Sequence, residues 1–364
     1  MEKHKYLILV ENYPDNKGNI GMNYVHTRNL AYKKAGFDIT VLNFSAQENY
    51  CYEGIDVINY QSFVREKEKY EALILHSANI KHHYEFLRKH GIEFKQFIFF
   101  YHGHEVMYLN KDYSKPFDYI KQNAIKIAMQ NLYDHFKMLV WHNYLKKHLA
   151  KSTFIFVSNW MKRIFLKNIK LKESDIEGRS YVVYNGVGES FENGEYNEKT
   201  PKEYDFITIR SVFDNSKYGV DIVARLAENT PKAKFLLVGK GHLFEHIQKP
   251  ENVEIVEAFL NHEAILEYLQ KARFALMPTR TDAQGLMMCE MAAFGIPVIT
   301  SDIDVCKEVF NGFENVYFIN NDTEQDLVKF KDIISKSQKD KRFYKQQTVR
   351  HEIKILNEVL SREE

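Results

Sequence analysis

The chain has 364 residues, of which 45% are hydrophobic and 27% charged, and its formal net charge is +1. This composition is ordinary for a globular protein and excludes disordered and fibrous classes, and the charge gives no general attraction to nucleic acid. At roughly 150 residues per domain, the length predicts about two domains.

Neither a signal peptide nor a membrane span is predicted. The first apolar run is only YLILV, and no later run approaches the roughly 18 residues that a spanning helix needs. The three cysteines, at positions 51, 289 and 306, are odd in number and widely spaced, which is typical of reduced thiols and not of a disulfide framework or a zinc site. We therefore expect a cytoplasmic protein.

The first half of the chain alternates short apolar runs with amphipathic segments. The runs include YLILV, FDITVLNF, YEALILHS and TFIFVSN. Runs of β-branched and aromatic residues between helices are typical of parallel strands with crossover helices. We predict a Rossmann-like domain over residues 1–187, followed by a polar, Gly- and Glu-rich linker over 188–204.

The same alternation resumes after the linker and predicts a second domain over residues 205–340. The closing segment, 341–364, has helical spacing of Ile and Leu and no strand after it, which is compatible with packing back on the N-terminal domain. The predicted fold class is α/β, with two doubly wound Rossmann-like domains facing a cleft. Because ligands of such sheets bind beyond the carboxyl ends of the strands, the residues that follow each strand are the candidates for function.

The segment PTRTDAQGLMMCEMAAFGIPVITS, residues 278–301, begins a helix at a glycine directly after an apolar strand. Exposed amides and the helix dipole at such a start favour an anion such as phosphate. Asp282 precedes the helix and Glu290 lies in its second turn, so both carboxylates can face one ligand. For two carboxylates considered alone, the alternative is that Asp282 caps the helix and Glu290 is solvated.

This segment resembles the donor-site segment of the family 4 glycosyltransferases, which are retaining enzymes of the GT-B fold. Asp282, seven residues and Glu290 stand where the family has Glu, seven residues and Glu. The resemblance implies that Asp282 lies near the donor sugar and that Glu290 holds the ribose hydroxyls. It also implies that the backbone amides of Gly285, Leu286 and Met287 bind the sugar and phosphate.

Other segments extend the resemblance. ITIRSVFDNSKYG is similar to the family's Arg and Lys segment for the donor diphosphate, and Arg210 and Lys217 match it. Such cations stabilise the charge that develops on a leaving diphosphate, so we expect no metal or other cofactor. FLLVGKGH is similar to the turn near the nucleotide base and implies a role for Gly239, and VVYNGVGESF has Gly188 where the family's Asn-Gly-Val-Asp has Asp.

Two candidates come from the N-terminal half. Gly21 opens a helix after the first strand, as in the family's glycine loop near the phosphate, and a purely structural turn is the alternative. The strand FIFFY ends at HGHE, where family members carry a His that contacts the donor sugar. His102 matches that position best, and His104 is the alternative.

Asp302 and Asp304 have the spacing of a divalent-metal site, but they follow the donor strand, where the family has an ordinary loop. We therefore predict no metal site. The predicted function is a retaining glycosyltransferase that transfers a sugar from a nucleoside-diphosphate sugar, with UDP-sugars foremost, to a hydroxyl of a glycan or lipid-linked acceptor. The alternatives are a non-catalytic nucleotide-sugar-binding protein, compatible with Asp at position 282, and a GT-B-like sugar-nucleotide epimerase.

Residues 137–172 contain nine Lys or Arg and no acid. The part before Ser152 has helical spacing, and the apolar residues between its cations are Met138, Leu139, Trp141, Tyr144, Leu145 and Leu149. A basic helix with an aromatic edge is typical of binding to an anionic membrane surface, so we predict a cytoplasmic enzyme of polysaccharide or glycolipid assembly at the inner face of the cell membrane. The alternative is a helix packed on the core with solvated lysines.

Overall fold

The computed structural model describes residues 5–19, 21–330, 333 and 336–361. Within these ranges the chain forms two compact units, each with its own parallel sheet. Unit 1 takes its described residues from 1–107, 132–183 and 349–364, and unit 2 takes its residues from 108–131 and 184–348. The α/β fold class with two doubly wound sheets is confirmed.

Apart from α13, which follows the last strand, the described helices connect successive strands along the chain. In chain order they are α1 Asn23–Lys34, α2 Tyr60–Glu66, α3 Glu85–His90, α4 Leu109–Asp112, α5 Ala124–His148, α6 Asn159–Ile169, α7 Glu189–Asn193, α8 Val220–Glu228, α9 Leu243–His246, α10 His262–Gln270, α11 Leu286–Phe294, α12 Asp304–Val309 and α13 Lys345–Leu360. One turn of π-helix, Ile80–Tyr84, precedes α3. None of the helices in the described ranges is both long and apolar enough to cross a membrane.

Unit 1 is built on an eight-stranded sheet. Its strands are β1 Lys5–Val10, β2 Asp38–Asn43, β3 Tyr50–Tyr52, β4 Ile55–Ile58, β5 Ala72–His76, β6 Gln96–Tyr101, β7 Ser152–Phe156 and β8 Ser180–Val182. Their order across the sheet is β3-β4-β2-β1-β5-β6-β7-β8, and the pair β3–β4 is antiparallel while the others are parallel. The order reverses between β1 and β5, which directs ligands to the carboxyl ends of these two strands.

Unit 2 is built on a six-stranded parallel sheet. Its strands are β9 Tyr204–Val212, β10 Phe235–Lys240, β11 Val253–Val256, β12 Ala272–Met277, β13 Val298–Ser301 and β14 Val316–Ile319. The order β11-β10-β9-β12-β13-β14 is the order of a dinucleotide-type Rossmann sheet. The reversal falls between β9 and β12, so the segments after these two strands are the expected ligand site.

The segment predicted to be a linker, 188–204, contains folded structure. Helix α7 lies within it and buries Phe191 completely. Tyr196 is also buried, and its hydroxyl donates a hydrogen bond of 2.9 Å to the carbonyl of Ala272. The few aromatic residues of this polar stretch therefore attach it to unit 2.

The closing helix α13 contributes to unit 1 from residue 349 onward. Glu352 is fully buried there, and one carboxylate oxygen accepts a hydrogen bond of 2.9 Å from Arg28 Nε while the other accepts one of 2.6 Å from the Tyr32 hydroxyl. The Tyr6 hydroxyl donates to the carbonyl of Leu356 at 3.2 Å. The last three residues of the predicted segment, 362–364, lie outside the described residues.

Candidate functional site

Arg210 lies near the end of β9 and its side chain is buried in unit 2. Its Nη2 donates a hydrogen bond of 2.8 Å to the carbonyl of Pro278, which follows β12, and its guanidinium carbon lies 5.1 Å from the centre of the Tyr218 ring. Its Nε is buried without a hydrogen-bond partner in the described structure. Burial lowers the pKa of Arg210 and the charge of Asp282 opposes this shift, but a guanidinium stays cationic at any physiological pH.

Lys217 and Asp282 come together from the two loops beside the strand-order reversal. The distance between Lys217 Nζ and Asp282 Oδ2 is 3.9 Å, and both side chains are about one-fifth exposed. The loops are joined by backbone contacts, because Arg280 N and Thr279 Oγ1 donate to the carbonyl of Lys217 at 2.9 and 3.0 Å. Unit 2 thus brings three residues that the sequence singled out, two cations and one carboxylate, to one edge of its sheet.

The helix start after Asp282 has the predicted geometry. Gly285 has φ of 78° and precedes the first turn of α11, and a Cβ there would overlap the side chain of Met288. The amides of Leu286 and Met287 are the first in the helix and have no intrahelical partner four residues back. Asp282 Oδ1 accepts a hydrogen bond of 2.8 Å from Ala283 N, so this carboxylate stabilises its own loop.

Glu290 is buried in the second turn of α11, which excludes the alternative of a solvated face residue. Burial raises the pKa of Glu290 to about 7, although a hydrogen bond from the backbone N–H of Gly188 opposes the shift. A Cβ at position 188 would lie 2.8 Å from the His262 ring, so a larger residue there would require this ring to move. A half-protonated carboxyl at neutral pH can both donate and accept hydrogen bonds.

Gln284 is a residue that the sequence reasoning missed. Its amide is buried, its Oε1 accepts a hydrogen bond of 2.7 Å from Asn185 N, and its Nε2 donates one of 3.2 Å to Asn185 O. The loop before α11 is thereby fixed to the segment that carries Gly188. A glutamine that forms hydrogen bonds with backbone 99 residues away produces no pattern in the nearby sequence. The one available signal is its position between Asp282 and Gly285.

Gly239 has a structural reason to be glycine. Its φ is 150°, and a Cβ there would overlap the carbonyl oxygen of Arg210 on the neighbouring strand. This close approach holds β10 against the end of β9, next to Arg210. Contact with a nucleotide base stays a prediction.

In unit 1, His102 follows β6 and its Nε2 lies 3.1 Å from His76 Nδ1. Burial lowers the pKa of His102 to about 4, although the negative charge of Glu105 opposes this shift. The ring is therefore neutral at pH 7. Glu105 is buried, and its carboxylate accepts hydrogen bonds from the amides of His102 and Gly103 at 3.0 and 2.6 Å. The alternative residue, His104, is mainly exposed, and the role of either histidine stays a prediction.

Gly21 also has a structural reason to be glycine, because a Cβ there would overlap the Asn12 side-chain amide. Its N–H donates a hydrogen bond of 2.9 Å to Asn19 Oδ1. Residue 20, its neighbour in the predicted glycine loop, lies outside the described residues. A ligand role for Gly21 stays a prediction beside this structural one.

Across the described ranges, no three His, Cys, Asp or Glu side chains are grouped as in a metal site. Asp302 forms an ion pair with Lys307, and Asp304 begins α12. The expectation that the reaction needs no metal stays a prediction.

The apolar edge predicted for residues 137–172 does not form one exposed face, because Leu139 is 59% exposed whereas three other members pack into the core. Met138, Trp141 and Leu145 are 3% exposed or less. Lys137 is also buried, with its Nζ 3.1 Å from Asp134 Oδ1. The remaining exposed cations of the segment are Lys146, Lys147, Arg163, Lys167, Lys170 and Lys172.

The model of the family described as glycosyl transferases group 1 matches residues 207–331, which include the whole arrangement from Arg210 to Glu290. This match lies within unit 2 and covers about a third of the chain. The resemblance predicted from the sequence is thereby confirmed.

Curated relatives match the chain over less than half of its length. The O-antigen biosynthesis glycosyltransferase WclY of Escherichia coli is 27% identical over 156 residues, which cover 38% of this chain and 42% of the relative. An uncharacterized glycosyltransferase of Methanocaldococcus jannaschii is 24% identical over 169 residues, 45% of this chain and 46% of the relative. The chain thus aligns with less than half the length of each of these relatives.

Solved structures share the fold over nearly the whole chain. Sucrose-phosphate synthase from Thermosynechococcus elongatus superimposes with a TM-score of 0.61 at 12% identity, covering 99% of this chain and 90% of that one. WaaG, a glycosyltransferase involved in lipopolysaccharide biosynthesis, gives 0.55 at 12% identity, covering 98% and 90%. At this identity the likeness shows the GT-B fold alone.

Proposed function

We propose that this protein is a retaining glycosyltransferase that transfers a sugar from a nucleoside-diphosphate sugar to a hydroxyl of a glycan or lipid-linked acceptor. The observation that carries the proposal is the grouping of Arg210, Lys217 and Asp282 beside the strand-order reversal of unit 2 and the first turn of α11. This edge is where doubly wound sheets bind ligands, and the group 1 match covers it.

The chemistry of the proposed step is the departure of a diphosphate. Negative charge grows on the leaving oxygen as the glycosidic bond breaks. Preorganised cations therefore stabilise the transition state more than the ground state. Arg210 is held by Pro278 and Tyr218 and keeps one buried N–H without a partner, so it is oriented before a ligand arrives. The amides at the start of α11 supply further donors for an anion.

Asp282 and Glu290 have different proposed roles because their surroundings differ. Asp282 is partly exposed and lies near Lys217, which suits contact with a sugar hydroxyl. Glu290 is buried and has a pKa raised to about 7 by burial, which suits hydrogen bonds with the ribose hydroxyls in either protonation state. The relatives named for O-antigen and lipopolysaccharide biosynthesis favour an acceptor from polysaccharide or glycolipid assembly.

Thermal unfolding with a panel of UDP-, GDP- and ADP-sugars tests the donor class. A donor present at about 100 times its dissociation constant adds roughly 2.7 kcal/mol to the free energy of unfolding. We expect a UDP-sugar to stabilise the parent with or without EDTA, and an Arg210→Ala, Lys217→Ala double variant to lose this stabilisation. No stabilisation by any nucleotide sugar contradicts the proposal, and dependence on a divalent ion contradicts the metal-free site.

Product analysis tests the reaction. With the donor identified, we expect nucleoside diphosphate release to require a sugar acceptor and the NMR spectrum of the product to show the donor's anomeric configuration. Release without an acceptor indicates hydrolysis or epimerisation instead, and inversion contradicts the retaining mechanism.

We also propose that the basic segment 137–172 attracts the protein to anionic membranes mainly by charge, since Met138, Trp141 and Leu145 are buried. Each basic residue near such a surface contributes about 1 kcal/mol, and salt screens this attraction. Binding to anionic but not neutral vesicles at low salt, with release at high salt, supports this proposal. Equal binding to both kinds of vesicle contradicts it.

A further inference from the structure

Helix α5 carries an exposed row of large apolar side chains that the proposed reaction does not use. The row, which we call the α5 stripe, consists of Ile125, Met129, Leu132, Phe136 and Leu139. Their exposed fractions run from 53% at Phe136 to 73% at Leu132. A contiguous exposed apolar patch of this kind on a protein typically marks an interaction site.

The spacing of the α5 stripe is that of a coiled-coil seam. Its members are separated by four, three, four and three residues, which is the alternation of the a and d positions of a heptad. At 3.6 residues per turn, the five side chains fall within an arc of about 80°. An arc this narrow is typical of a helix that contacts one other helix, whereas helices that lie in a bilayer surface bury a wider face.

A different face of α5 packs into the core. Met138, Trp141 and Leu145 are buried on the opposite side of α5, so the stripe is not the face that holds the helix in the fold. The helix start is fixed as well, because Asn123 Oδ1 accepts hydrogen bonds from the amides of residues 125 and 126 at 2.9 and 3.2 Å. The stripe is therefore presented on a helix that is already formed.

We propose that the α5 stripe pairs with the α5 stripe of a second copy of this chain, with the two helices antiparallel. With about 200 Å² for a fully exposed large apolar residue, the five side chains present on the order of 600 Å². Tyr133, which is 44% exposed beside them, adds to this surface. A standard interface buries about 800 Å² on each partner, so two such helices supply most of a stable contact.

The charges of α5 select the antiparallel direction. The single acid of the helix, Asp134, is buried against Lys137, and the exposed cations Lys146 and Lys147 lie at one end. A parallel pair brings these lysines together, which is unfavourable. An antiparallel pair with its two-fold axis near Leu132 separates the two Lys146 positions by about 40 Å along the helix axis.

Between Ile125 and Leu139, the exposed charged side chain of α5 is Lys126, and the other exposed polar neighbours are Asn131 and His135. An anionic bilayer is bound by helices whose apolar face is bordered by many cations. The flanks of the stripe are nearly uncharged, so a second apolar helix fits this surface better than a bilayer does.

The first test is the mass of the protein in solution, by sedimentation velocity and light scattering over a micromolar concentration range. We expect the parent to be dimeric and the Leu132→Glu, Phe136→Glu double variant to be monomeric. Each apolar side chain lost from the seam weakens binding by roughly tenfold or more, so the dissociation constant rises at least about 100-fold. Phe259→Glu, at a position 69% exposed outside this helix, is the matched control and should remain dimeric.

Cysteine cross-linking tests the direction. In a Cys51→Ser background, which removes the exposed thiol, Ile125→Cys protein mixed with Leu139→Cys protein should form a disulfide between the two variants. Disulfides only between identical variants indicate a parallel pair and overturn the antiparallel arrangement. A monomeric parent, or a dimer that survives the double glutamate variant, overturns the proposal altogether. Loss of vesicle binding in that variant, with a monomeric parent, assigns the stripe to a bilayer instead.

Discussion

Replacement of Glu290 by glutamine should stabilise the protein at alkaline pH and leave its stability nearly unchanged at acid pH. The carboxyl is buried, and burial raises its pKa from 4.5 to about 7. A shift of one unit corresponds to about 1.4 kcal/mol, so ionisation of Glu290 in the folded protein costs on the order of 3 kcal/mol. Glutamine keeps an oxygen that can accept the hydrogen bond from Gly188 N and removes the charge.

The direction of this pH effect on stability depends on when Glu290 is protonated in the folded and in the unfolded chain. Below pH 4.5 the carboxyl is protonated in both the folded and the unfolded chain, and Glu290 has no effect on the pH dependence. Between pH 4.5 and about 7 the unfolded chain releases this proton while the folded protein retains it, so the free energy of unfolding decreases as the pH rises. Above pH 7 the loss is complete and constant.

Urea unfolding of the parent and of Glu290→Gln at pH 5 and pH 8 measures this difference. We expect the variant to gain about 2 to 3 kcal/mol relative to the parent between the two pH values. Glu267→Gln, at an exposed position on α10, is the control and should show no such gain. If the difference between parent and Glu290→Gln is the same at both pH values, the burial argument for Glu290 is refuted.

Three further outcomes are expected. Arg210→Ala and Lys217→Ala should each lower kcat more than they raise KM, because the leaving diphosphate gains charge only as the bond breaks, and a change in KM alone would contradict that role. Gly239→Ala should lower the free energy of unfolding by about 2 kcal/mol or more, since its Cβ overlaps the Arg210 carbonyl at a φ of 150°; unchanged urea unfolding would contradict the overlap. Glu352→Ala should lower the free energy of unfolding by about 3 to 5 kcal/mol because it breaks the buried ion pair with Arg28, and a loss below 1 kcal/mol in urea would show that the pair is not buried in solution.

The sequence predicted the features of this fold that repeat or lie close together in the chain. Apolar runs of strand length separated by helices are sufficient for two parallel sheets, because both faces of such sheets are covered and their strands are apolar throughout. Arg210, Lys217 and Asp282 could be found because strand ends converge at one edge of a sheet. The hydrogen bonds that Gln284 and Glu105 accept from backbone amides follow no period, so no sequence pattern predicts them.

Helix α5 shows why periodicity alone cannot identify a core face. Met138, Trp141 and Leu145 have helical spacing and were expected on a membrane-facing edge, but they are buried. The α5 stripe has helical spacing too and is exposed. A helix with apolar residues on two opposite faces has two ways to pack, and only the surrounding strands and helices decide between them.

The chain passes between the two units four times, after residues 107, 131, 183 and 348. During synthesis, the sheet of unit 1 is translated by Val182, yet Arg28 Nε and the Tyr32 hydroxyl can bond to Glu352 only after more than 300 further residues have been added. A ribosome adding 5 to 20 residues per second leaves this unit incomplete for roughly ten to thirty seconds while unit 2 emerges. We therefore expect a fragment that ends at residue 187 to aggregate when expressed alone, and addition of an α13 peptide to rescue it only if that helix can dock after translation.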